Sequence, residues 1–114
     1  MPEERIVSAS DVLATIKAGQ PAEFDNCTIV GELNLSTMKI DEQVHFSHAF
    51  FQDSVNFKDT TFNSTADFEA SKFNNLAGFG GSEFNSNAYF RGSEFNRFAG
   101  FNGSRTCFIY RVRV

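Results

Sequence analysis

The sequence predicts an all-β fold: a parallel β-helix in which short strands and tight corners alternate, closed at its start by one short helix. Three observations predict it. Of 114 residues, 15 are Phe, two are Tyr and none is Trp, so one residue type does the work that cores usually divide among Leu, Val and Ile. Phe46, Phe51, Phe57, Phe62, Phe68, Phe73, Phe79, Phe84, Phe90, Phe95 and Phe101 are separated by gaps that alternate five and six, a true period of eleven. Two positions before each stands a small or β-branched residue: Val44, Ala49, Val55, Thr60, Ala66, Ser71, Ala77, Ser82, Ala88, Ser93 and Ala99.

An eleven-residue period also suits a right-handed supercoiled helix. Composition excludes that reading, because Gly78, Gly80, Gly81, Gly92, Gly100 and Gly103 would each cost a helix roughly 0.5 to 1 kcal/mol relative to Ala, and ten Asn add to the penalty. Small-x-Phe is a strand signature: alternation sends the small residue and the Phe to one face and the residue between them to the other. The Asn, Gly, Ser and Asp that follow read as corners. Short strand and tight corner, repeated with no long loop, make a solenoid.

Taken in order, residues 1–21 form an arm and a capping helix. Ser10 to Gly19 reads as the helix, with Ser10, or Ser8 in a Ser-x-x-Asp box, as N-cap, Gly19 at C′ and Pro21 just beyond. Val12, Leu13 and Ile16 are its apolar face, which lids the first coil, since a solenoid must cover its ends. Residues 22–104 are the β-helix. The register runs back through Ile40, Leu35, Ile29 and Phe24, preceded at minus two by Met38, Leu33, Cys27 and Ala22, which makes fifteen units in all. It fails after Phe101, and residues 105–114 form a last strand or cap, partly apolar on both alternating faces.

The segments Ala66-Asp67-Phe68-Glu69-Ala70-Ser71-Lys72-Phe73 and Ala88-Tyr89-Phe90-Arg91-Gly92-Ser93-Glu94-Phe95 resemble the pentapeptide-repeat family, and the resemblance covers about 80 of the 114 residues. It implies a right-handed quadrilateral β-helix with four units per coil, hence about four coils. Two departures stand out: the central residue is mostly Phe where Leu is common, and every second unit holds six residues. The coil then spans 22 residues. Phe24, Phe46, Phe68 and Phe90 should stack in one column, Ile29, Phe51, Phe73 and Phe95 in the next, Leu35, Phe57, Phe79 and Phe101 in a third, and Ile40, Phe62 and Phe84 in the fourth. Outside the core, Glu69 falls beside Arg91 and Lys72 beside Glu94.

Charge and composition restrict function. A net charge of −4 without clustered cations argues against direct nucleic-acid binding. No apolar run approaches the ~20 residues that span a bilayer. The start, Met1-Pro2-Glu3-Glu4-Arg5, lacks an apolar signal segment, so a cytoplasmic, unexported protein is expected. Cys27 and Cys107 are too few for a disulfide scaffold.

Chemistry-bearing candidates are weak. His45 and His48, with Asp53, diverge from one another on the expected surface, so no metal site is expected. Cys27 occupies an inward slot, Asp41 and Glu42 sit at a solvated corner, and Gly78-Phe79-Gly80-Gly81 lacks the following helix of a phosphate cradle. Four Asn-x-Ser/Thr sequons, at Asn26, Asn34, Asn63 and Asn102, follow from composition alone. No catalytic or cofactor-binding set emerges.

Phe50, Leu76 and Phe98 are large apolar residues off the core register, Leu76 and Phe98 being one coil apart, and they are the candidate interaction surface. The alternation in the final strand makes Phe108, Tyr110 and Val112 a candidate homodimer surface, and the resemblance implies the same, since two-fold dimers through C-terminal coils occur in the family. The expected function is a non-enzymatic scaffold or protein-interaction module with no cofactor. The alternative that the resemblance implies is a DNA mimic acting on a type II topoisomerase, DNA gyrase. Charge weakens it: residues 22–104 hold eleven acids against five bases, spread over four faces.

Overall fold

The computed structural model describes residues 5–103 in full and 105–113 as backbone. The chain opens with β1 (Arg5–Ser8) and α1 (Ala9–Lys17). The first coil is β2 (Ala22–Glu23), β3 (Cys27–Val30), β4 (Leu33–Asn34) and β5 (Lys39–Ile40), and the second is β6 (Val44–His45), β7 (Phe50–Phe51), β8 (Val55–Asn56) and β9 (Thr61–Phe62). Then β10 (Ala66–Asp67), β11 (Lys72–Phe73), β12 (Ala77–Gly78) and the start of β13 (Glu83–Phe95) complete a third. The rest of β13, β14 (Ala99–Gly100) and the start of β15 (Arg105–Arg113) make the fourth, and the rest of β15 begins another turn.

Every ladder is parallel, and from β1 to β14 the register is 22 residues. Four faces result: β2-β6-β10-β13, then β1-β3-β7-β11-β13, then β4-β8-β12-β14, then β5-β9-β13-β15. The fold is thus a β-solenoid of about four turns with a helix at its start.

The inward columns are those the Phe spacing dictates. Phe46 and Phe68 stack at 5.5 Å between centroids, Phe51 and Phe73 at 4.6 Å, Phe57 and Phe79 at 4.9 Å, and Phe62 and Phe84 at 4.8 Å, with rings tilted by no more than 21° within each pair. Rings from neighbouring columns meet edge to face, as Phe79 and Phe90 do at 88°, the arrangement the ring quadrupole favours.

The five- and six-residue units differ in their corners. After the first and third faces, residues 26, 48, 70 and 92 and residues 37, 59, 81 and 103 all have φ between +56° and +73°. Each is the third residue of a β-turn, the position where a type II turn requires positive φ. The turns close with Met38 N to Leu35 O at 3.2 Å, Ala49 N to Phe46 O at 3.1 Å and Ser71 N to Phe68 O at 3.1 Å. The hydroxyls of Ser71 and Ser82, at inward small positions, donate to the Phe68 and Phe79 carbonyls at 2.6 Å, so the buried polar atoms are satisfied. A sixth residue relaxes the other corners, where among the described residues only Gly31 has positive φ.

Side-chain ladders follow the corners. Asn85 Nδ2 donates to Asn63 Oδ1 at 2.8 Å, and Asn63 Nδ2 to Asp41 Oδ1 at 2.7 Å. Lys72 and Glu94 meet at 4.0 Å, as expected. Glu69 and Arg91 keep their register but form no ion pair among the described residues.

Three features depart from the sequence reading. The arm before the helix contains β1, which pairs with β3 as one more rung of the second face. Helix α1 starts at Ala9, one residue before the expected Ser10, and of the two N-cap readings it takes Ser8 in the Ser-x-x-Asp box, whose Oγ accepts from Asp11 N at 3.2 Å; Ser8 is extended and Ser10 already lies in the first turn. Finally, β13 runs thirteen residues around two corners, because β15 pairs along it with register shifts between Phe84 and Asn87 and between Tyr89 and Ser93. Gly19 takes C′ with φ +74°. Val12 and Ile16 are buried, with Leu13 half-buried beside them, and α1 packs on β1, β2 and β4 as the lid.

Candidate functional site

The six-residue corner before the third face carries residues 32, 54, 76 and 98 in one column, one per coil. Here the sixth residue does not tuck into the core. Leu76 is 49% and Phe98 69% exposed, two of the three large apolar side chains left open to solvent among the described residues. The next strands present outward Gly78 and Gly100 where other faces carry side chains. The Phe98 ring lies over Gly100: a Cβ added there would sit 3.1 Å from Phe98 Cε2, so the missing side chain is what seats the ring.

Together these residues form a groove of about 410 Å³ running across the coils. Leu76 and Phe98 make its wall, Gly78 and Ala77 its floor, and Glu32, Ser54 and Asn56 its far end. Glu32 is its one charged lining residue. The groove has an apolar side and a single carboxylate, an arrangement that can seat an apolar side chain and attract a cation but holds no nucleophile paired with a base.

Phe50, grouped with these two by sequence, lies elsewhere. It is half-buried on the second face, between Thr28 and Lys72 in register. That outward column begins with Ile6, 64% exposed, which the sequence reading missed because it sits in the arm before the helix. The signal was present: Arg5-Ile6-Val7-Ser8 lies 22 residues before Cys27-Thr28-Ile29-Val30. The candidate dimer residues Phe108, Tyr110 and Val112 have side chains outside the described residues; their backbone pairs with Asn87, Tyr89 and Ser93.

The remaining candidates are dispersed. His45 Nε2 bonds Gln43 Oε1 at 2.8 Å and its Nδ1 stands 4.0 Å from Asp67, while His48 is a corner residue with φ +58°. Among the described residues no three His, Cys, Asp or Glu side chains converge as metal ligands. Cys27 is buried, its Sγ donates to Asp25 O at 3.4 Å, and burial pushes the thiol pKa up, away from the reactive thiolate. Asp41 is tied into the Asn ladder, and Phe79, inside the glycine run, is core. A second cleft, about 380 Å³, lies between the end of α1 and Met38 to Glu42 and mixes Lys17 and Lys39 with Asp41 and Glu42. No described helix is long and apolar enough to cross a membrane. No protein-family model, curated protein or solved structure matches the chain.

Proposed function

We propose that this chain is a pentapeptide-repeat solenoid working as a non-enzymatic interaction scaffold in a reducing, cytoplasmic setting. Four short parallel faces per coil, each with a buried small residue two before a buried Phe, support the family reading, and the buried free thiol of Cys27 suits a reducing compartment. The observation that carries the function is the Leu76–Phe98 wall: two large apolar side chains kept in solvent over a glycine floor, while most of the other described Phe are buried. Replacing both wall residues by Ser tests it. The variant should keep its circular dichroism and unfolding midpoint while losing the protein partners the native chain retains in a pull-down. Loss of folding would make the wall part of the core and remove the reading.

A homodimer contact extends this proposal, and DNA mimicry is its alternative. Pairing of two copies through Phe108, Tyr110 and Val112 predicts a dimer that Val112→Lys dissociates. DNA mimicry toward DNA gyrase predicts inhibition of supercoiling by micromolar protein. Acid placement weakens the mimic, because residues 91–114 hold five Arg against one acid, where a mimic needs carboxylates along its whole length.

A further inference from the structure

Among the described residues the third face alone has glycine in its central outward column, which runs Asn34, Asn56, Gly78 and Gly100. Both Asn side chains bend along their own strand, Asn34 Oδ1 accepting from Ser36 N at 3.0 Å and Asn56 Oδ1 from Lys58 N at 2.9 Å. A Cβ added at Gly78 would meet nothing nearer than Asn56 Oδ1 at 3.9 Å, so a gap stands open there, while the Phe98 ring already lies over Gly100. The strip is flat from the first coil to the last.

Its two borders are unlike. Before it stand Glu32, Ser54, Leu76 and Phe98, and after it Ser36, Lys58, Gly80 and Asn102, one per coil. The first border has an exposed carboxylate in the first coil and an apolar wall in the last two; the second has an exposed ammonium in the second coil and no side chain at Gly80. Carboxylates at the adjoining corners are turned onto their own chain: Asp53 Oδ2 accepts from Gly31 N at 2.7 Å, and Asp59 lies against Gly81.

A two-fold axis parallel to the solenoid and lying over the central column exchanges these borders. It sets two copies side by side, coils level and strands antiparallel, so each border opposes the other border of the second copy. Leu76 then falls over bare Gly80 and the open gap at Gly78, and the two Phe98 rings meet across the axis. Glu32 comes within one coil, about 4.8 Å, of the height of the opposing Lys58. A two-fold running across the coils instead keeps every Glu32 opposite its own border and away from Lys58, so charge selects the first arrangement.

We infer that the third face is a homodimer interface, in which each Leu76–Phe98 wall packs on the glycine strip of a second copy and Glu32 pairs with the opposing Lys58. The contact is isologous and closes at two. This rests on the scaffold reading of the same wall and names its occupant.

Sedimentation equilibrium of the full chain, from about 1 μM to about 1 mM, tests it. The native chain should associate, and Val112→Lys, which breaks the contact through the final strand, should still rise to the mass of a dimer and stop there. In that background Gly78→Lys has room in a single copy but meets itself at the axis, so it should hold the chain monomeric with its circular dichroism unchanged. Glu32→Lys and Lys58→Glu, both at exposed positions, should each weaken the dimer about tenfold by opposing like charges. An equimolar mixture of the two should restore it, because every contact in the mixed pair is again between opposite charges. Three results overturn the proposal: a constant monomer mass, a dimer that Gly78→Lys leaves intact, or charge variants that associate no better together than apart. A monomeric chain that still loses its pull-down partner through the Leu76 and Phe98 substitutions would leave the scaffold reading standing and remove only the dimer.

Discussion

At Thr37 the chain bends through φ +63°, a left-handed conformation that β-branched residues rarely adopt. Asn26, His48, Asp59 and Ala70 occupy equivalent corners, and Gly81, Gly92 and Gly103 take over in the later coils. The turn geometry belongs to the position in the coil, and the residue found there only sets how much strain it stores. Thr37→Gly should therefore stabilise the protein by about 0.5 to 1 kcal/mol, relief of strain exceeding the added flexibility of the unfolded chain. Gly81→Ala should do the opposite by about 1 kcal/mol, since its φ of +70° is strained for any side chain and Asp59 would have to move its carboxylate aside. Urea midpoints of the two variants check both signs. That corners follow each Phe was legible, but which corner residue takes the left-handed conformation was not, because the occupants of that position, from Thr to Gly, share no composition.

Elements differ in how plainly they announce themselves. Phe at every core position made the strands from β6 to β12 readable, because a two-residue strand with a fixed inward partner leaves no freedom of register. The first strand was hidden: Ile6 and Val7 contain no Phe, and a helix follows at once where a corner would be expected. In α1 the apolar positions Val12 and Ile16 were legible from their spacing, and the cap was ambiguous because Ser8 and Ser10 are both good cap residues. The structure selects Ser8, whose extended backbone lets Oγ reach Asp11 N. Ser8→Ala should cost about 1 kcal/mol of stability and Ser10→Ala only a few tenths, as measured by thermal unfolding. The candidate surface was half legible for a related reason. Leu76 and Phe98 break the register visibly, whereas the division between them and Phe50 depends on which corner holds the sixth residue.

Across the whole molecule, stability is shared between neighbouring coils, since each ring touches its own coil and the two beside it. Phe68 stacks between Phe46 and Phe90 and contacts rings of all three other columns, while Phe24 stacks on Phe46 alone. Phe68→Ala should accordingly cost about 4 to 5 kcal/mol and Phe24→Ala about 3 kcal/mol in denaturant unfolding. Equal costs would mean that the ends are packed as tightly as the middle, contrary to the near-neighbour energetics of a stacked repeat.

The uniform 22-residue register has a mechanical counterpart. A chain held by its two ends and drawn apart can yield only by peeling coils, because each coil is bonded to those above and below and to nothing farther away. Each coil released would lengthen the tether by about 75 Å, 22 residues at roughly 3.4 Å each. The force trace should then be a sawtooth with evenly spaced teeth, which makes this small protein a graduated spring.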